Sequence, residues 1–131
     1  MSDKKDLRSP LAKVRGLGSA KSGTHHWLAQ RMTALALIPL VLYVLIGFLN
    51  NVVAGGYSGA HYWLGSPLPA TFTIMFLLAG LYHGALGLQV VIEDYIHCSC
   101  VKMGLVFATY FAAVALAILG TLSVAKIFFG V

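Results

Sequence analysis

Residues 68–92, LPATFTIMFLLAGLYHGALGLQVVI, run for 25 positions without an Asp, Glu, Lys or Arg, and this stretch decides the fold. A helix rises about 1.5 Å per residue, so roughly 20 apolar residues cross a hydrocarbon core about 30 Å thick. The run is continuously apolar, without the alternation of period two that a barrel strand facing lipid would show. Two other stretches share this property, 18 residues from Met32 to Leu49 and 23 from Met103 to Ala125. The expectation is an all-α membrane protein with three transmembrane helices, over about residues 25–50, 68–95 and 101–127, forming one domain over 25–131 behind a basic arm over 1–24.

Composition agrees. Of 131 residues, 59% are hydrophobic and 10% charged, and the mean hydropathy is +0.84, too few charges to coat a soluble globule of this size. The net charge of +5 is lopsided: Lys4, Lys5, Arg8, Lys13, Arg15, Lys21 and Arg31 supply seven of nine basic residues, and the next is Lys102. By the positive-inside rule the N-terminus and the loop Glu93 to Lys102 face the cytoplasm, and the first loop and the C-terminus lie across the membrane. That pattern serves orientation and does not indicate nucleic-acid binding. About thirty mostly polar residues precede a full-length span, unlike a signal peptide, and Asp3 and Asp6 count against a mitochondrial transit peptide. A bacterial inner membrane is the first reading, a mitochondrial inner membrane the second.

Residues 1–22 lack apolar periodicity and are expected to be irregular unless a partner orders them. Thr24 is a candidate cap for a helix starting at His25, and Trp27 suits the interface. Pro39 is expected to kink span 1 or loosen its packing. From Asn50 to Pro69 the glycines, prolines and aromatics suggest turns at the far surface. Cys98 and Cys100, beside His97, make a poor metal site and are read as free thiols.

His83, near the middle of span 2, is the informative residue. An ionisable group at the midplane is costly and normally serves a substrate, an ion or a cofactor. The structural alternative is a neutral imidazole hydrogen-bonded to a neighbouring helix. Ala79, Gly80 and Gly87 share its face at i−4, i−3 and i+4. Such a smooth strip would clear space for a flat macrocycle ligated edge-on by the imidazole, and equally would let another helix pack closely. Asp94 follows eleven residues later, about 20° round and roughly 16 Å toward the cytoplasm, with Tyr95 beside it. On that side also lie His25 and Arg31, the kind of partners a cofactor's carboxylates need, although an arginine at a span end commonly snorkels. Lys102 and Lys126 are read as flanking charges.

The run His83-Gly-Ala-Leu-Gly87-Leu88-Gln-Val90-Val-Ile-Glu-Asp94-Tyr95 resembles the signature of the smaller hydrophobic anchor of succinate dehydrogenase, respiratory complex II. The approach to span 1, Gly23-Thr24-His25-His26-Trp27-Leu28-Ala29-Gln30-Arg31-Met32-Thr33-Ala34, resembles the same family's His and Arg before the first helix. The long basic arm and the His97-Cys98-Ser-Cys100 loop are not part of that pattern. The resemblance implies that His83 is one axial ligand of a haem b, the second coming from a companion cytochrome b anchor subunit. It implies that Arg31 and His25 hold the haem propionates, with His26 competing for the second role. Tyr95, supported by Asp94, would hydrogen-bond ubiquinone. The implied partners are a flavoprotein subunit, an iron–sulfur subunit, the companion anchor and membrane lipid. The chain itself has neither a dinucleotide-binding glycine fingerprint nor a cysteine framework for clusters, so it would contribute the quinone site but no catalytic residue for succinate oxidation.

Two rivals come from other classes. A small transporter or proton-conducting protein would use His83 and Asp94 as a relay, but span 3 offers only Thr109, Tyr110, Thr121 and Ser123 to continue it. A purely structural adaptor would tolerate substitution of His83.

Overall fold

A computed structural model describes residue 11 and residues 23–130. The expected irregular arm therefore lies almost wholly outside the described residues. Helix α1 runs Gly23–Gly47, a π-helical segment follows over Phe48–Val53, and then come α2 (Ala54–Leu64), α3 (Pro67–Tyr95) and α4 (Ser99–Phe129). Among the described residues there is no strand. Three helical stretches, Gly23–Leu64, Pro67–Tyr95 and Ser99–Phe129, are long and apolar enough to cross a membrane, as expected.

Helix α3 is the middle element, with α1 packed on one side and α4 on the other, while α2 folds against the far ends of α3 and α4. Among the described residues only Leu40, Trp63, Ala70, Ala85, Leu86 and Val124 are buried hydrophobics, whereas most large apolar side chains, among them Leu35, Ile38, Phe107, Phe111 and Leu119, are exposed. A soluble domain could not bear that surface; lipid and partner helices can.

The ends follow local chemistry. α3 opens with Pro67 in its first turn, where a missing N–H costs nothing, after an extended Ser66. Ile96 and Cys98 are also extended, so the link from α3 to α4 is only residues 96–98. Lys102 donates from Nζ to the Glu93 carbonyl at 3.3 Å, so it caps the end of α3 as well as flanking α4. Gly130 ends α4 in the left-handed region, at φ 71°. Cys98 and Cys100 are exposed free thiols.

α1 runs on through Pro39, whose ring faces outward while Leu40 turns inward. Two local expectations are corrected. Thr24 does not precede the first helix, because α1 already includes Gly23. The segment after Asn50 is mostly helical. The π-helical segment leaves a wider turn, Asn51 fills it by donating from Nδ2 to the Gly47 carbonyl at 2.9 Å, and Gly56 alone breaks the helix, at φ 58° and ψ −145°. This reversal brings Trp63 back against α1, where a Cβ on Gly47 would overlap its indole ring.

Candidate functional site

The site lies in the seam between α1 and α3, whose antiparallel register can be followed pair by pair. Tyr43 and Phe72 sit with ring centroids 4.6 Å apart toward the far side. A Cβ on Gly80 would come within 3.9 Å of Leu37, and one on Gly87 within 3.6 Å of Gln30. Between these two glycines His83 meets Thr33, its Nδ1 lying 2.9 Å from Thr33 Oγ1. The Thr33 hydroxyl also reaches the carbonyls of Ala29 at 2.8 Å and Gln30 at 3.1 Å, one turn back along α1. The imidazole is half-buried, and no hydrogen bond from its Nε2 is made among the described residues.

This geometry revises the meaning of the small-residue strip. Gly80 and Gly87 do not stand open beside His83, since α1 covers both. Leu37 and Gln30 of α1 lie beside these two glycines, one turn to either side of the Thr33–His83 contact. Gly84, the next residue, is the one with open space around it. One ring nitrogen is engaged by a neighbouring helix, as the structural alternative expects, and the other makes no hydrogen bond among the described residues.

Toward the N-terminal end of α1 the seam turns polar. Gly23, His26, Trp27, Gln30, Gln89, Val90 and Glu93 line a cavity of about 300 Å³. Buried there, His26 Nε2 and Gln30 Oε1 have no hydrogen-bond partner among the described residues. From the other side α4 contributes Tyr110, whose hydroxyl donates to Gln89 Oε1 at 2.7 Å, while Gln89 Nε2 donates to Glu93 Oε1 at 2.7 Å. Gln89 therefore ties α3 to α4 beside this cavity.

Of the residues singled out by sequence, His25 is exposed, whereas His26 turns into the seam. Arg31 is exposed and its guanidinium lies 4.7 Å from the centroid of the Trp27 ring, a cation–π contact. Asp94 is exposed and Tyr95, the last residue of α3, is 76% exposed, so its phenol is open to a partner. The structure joins none of these four to His83 directly. Sequence reasoning missed the role of Thr33 and of the Tyr110–Gln89 bridge. The available signals were a hydroxyl at the depth of the histidine and a glutamine kept within an apolar span.

The donor set suits one kind of metal. Among the described residues no three His, Cys, Asp or Glu side chains gather as a metal site. A single imidazole with a free Nε2 fits one axial bond to an iron whose other ligands come from a porphyrin and from another chain. The residues present fit such a group as half a site.

Comparison with known proteins identifies the family. The profile described as succinate dehydrogenase/fumarate reductase transmembrane subunit matches residues 5–124. The chain is similar to the succinate dehydrogenase hydrophobic membrane anchor subunits of Rickettsia bellii (39% identity, covering 79% of this chain and 82% of the relative) and Rickettsia conorii (35%, covering 70% and 72%). It is also similar to that of Paracoccus denitrificans, at 29% identity over 79% of each chain. No solved structure matches significantly. With three membrane-crossing helices and a profile match over most of its length, the chain belongs to the succinate dehydrogenase/fumarate reductase transmembrane subunit family.

Proposed function

We propose that this chain is the smaller membrane anchor of a succinate:quinone oxidoreductase in a bacterial cytoplasmic membrane, with its N-terminus on the cytoplasmic side. In this reading it holds a haem b jointly with a companion cytochrome b anchor and completes a ubiquinone site with the iron–sulfur subunit, the flavoprotein subunit lying beyond. The observation that carries the proposal is His83, half-buried at mid-span with Nδ1 engaged by Thr33 and Nε2 free. Family membership and relatives named as succinate dehydrogenase anchors support it.

His83 would hold the haem iron through Nε2, and the haem, once bound, would supply one-electron redox chemistry. Arg31 and His25, both exposed at the cytoplasmic end, are positioned to meet carboxylates lying outside the α1–α3 seam. His26 has its ring turned into that seam, so His25 is the better propionate partner. Tyr95 offers a phenol donor at the same end, and Asp94 beside it can orient that phenol or a water. A donor aimed at the oxygen of a quinone favours the reduced, more negative form.

The test is a dithionite-reduced minus oxidised optical spectrum of the detergent-purified complex, for wild type and His83→Leu, with the accompanying subunits identified. A b-type signal lost in the variant, in a preparation that still contains flavoprotein and iron–sulfur subunits, is the expected result. Retention of the signal in His83→Leu would sink the ligand assignment.

A further inference from the structure

Resting on the reading of His83 as a haem ligand, we infer that Thr33 is the positioning residue that selects which nitrogen of His83 binds the iron. It does so by accepting a hydrogen bond from the Nδ1–H while donating its own hydroxyl hydrogen to the α1 backbone.

The argument is a count of protons. A threonine hydroxyl has one proton and two acceptor lone pairs, and a carbonyl can only accept. Thr33 Oγ1 stands 2.8 Å from the Ala29 carbonyl and 3.1 Å from the Gln30 carbonyl, so its single proton lies between two acceptors one turn back. This back-bonding is ordinary for a threonine within a helix. Were the proton turned to His83 instead, lone pairs of Thr33 and Ala29 would face each other at hydrogen-bond distance. With the proton on the carbonyls, the 2.9 Å contact to His83 Nδ1 is satisfied only if Nδ1 carries the hydrogen. A neutral imidazole carries one N–H, so Nε2 keeps its lone pair and is the ligating atom.

Free histidine favours the opposite tautomer, with hydrogen on Nε2, so the seam has a preference to overcome. Two features make it firm. Leu37 beside Gly80 and Gln30 beside Gly87 seat α1 on α3 one turn to either side of the pair, which keeps Thr33 facing the imidazole. Thr33 is itself β-branched and stiff in a helix, so its hydroxyl is held in place before any ligand binds. A ligating histidine whose second nitrogen is held in this way loses about 10- to 100-fold in metal affinity when the outer partner is removed.

Two measurements test this. In the full chain reconstituted in lipid with 15N-labelled histidine and no haem, solid-state NMR reads the tautomer of His83, its signal identified by its loss in His83→Gln. Wild type is expected to carry hydrogen on Nδ1, Thr33→Val to move it to Nε2, and Thr33→Ser to restore wild type. Hydrogen on Nε2 in wild type, or no change in Thr33→Val, overturns the proposal. In the haem-loaded complex, Thr33→Val is expected to lower haem retention at least about tenfold and to shift the low-spin ferric g-values, both returning in Thr33→Ser. Unchanged g-values and retention in Thr33→Val would also overturn it. A wild-type complex with no b-type signal would remove the haem reading alone, because the tautomer is measured without haem.

Discussion

Tyr110 of α4 donates its hydroxyl to Gln89 of α3 at 2.7 Å, and Gln89 passes the chain on to Glu93 at the same distance, a bridge that fixes the register of two otherwise apolar helices. Tyr110→Phe removes the donor and leaves Gln89 Oε1 unmatched. The expected loss is about 0.6–2 kcal/mol, the range for interhelical hydrogen bonds in membranes. A double-mutant cycle with Gln89→Leu, read by unfolding in detergent, should return a coupling energy in that range; none would mean that the bridge is not formed.

Gly47 tests the return of the chain after Gly56. In an open helix, Gly to Ala would gain about 1 kcal/mol from propensity. Here the new Cβ meets the Trp63 ring, and overpacking costs about 1–3 kcal/mol. Gly47→Ala should therefore destabilise, and in a Trp27→Phe background the emission of Trp63 should move to the red. A stabilised variant with unmoved emission would show that Trp63 does not pack there.

Gly80 and Gly87 distinguish helix packing from clearance for a macrocycle. A Cβ at either meets only ordinary contacts, 3.9 Å to Leu37 and 3.6 Å to Gln30. Alanine at both positions should preserve haem content and gain up to about 1 kcal/mol per site. Gly87→Leu should push α1 away and lower haem content. Haem lost already with alanine would restore the clearance reading.

His25 and His26 should separate cleanly. His25→Ala removes an exposed side chain and is expected to weaken haem retention while leaving stability within about 0.5 kcal/mol. His26→Leu replaces a ring whose Nε2 is buried without a partner among the described residues, so it should be neutral or stabilising by about 1 kcal/mol with haem unchanged. The reverse pattern in spectra and melting would exchange their roles.

Tyr95→Phe should reduce quinone turnover by about 100-fold, the scale of one aimed donor, with assembly and haem spectrum intact. Asp94→Asn should cost less, since it acts through its neighbour. Steady-state succinate:quinone kinetics on the purified complex decide this, and a silent Tyr95→Phe would retire the residue from the site.

The three spans were legible because charge is excluded from lipid: Arg31, Glu93, Lys102 and Lys126 bracket them on the outside, while only the Gly, Asn and Pro residues between Asn50 and Pro69 separate the first from the second. His83 was legible because it is ionisable within such a run. Thr33 was not, because a helix apolar all round gives no facing direction from which to read the register between α1 and α3. The far segment misled for a related cause. Glycine and asparagine there look like turn residues, yet only Gly56 adopts a positive φ, while Asn51 serves the helix by bonding to Gly47.

Every residue of the histidine seam, from Gln30, Thr33 and Leu37 to Gly80, His83 and Gly87, precedes α4 in the chain. During synthesis α1 and α3 can close on each other as a hairpin while α4 is still in the ribosome. The threonine would then hold its imidazole ready before translation ends, so that joining a companion chain need not wait for the last helix to enter the bilayer.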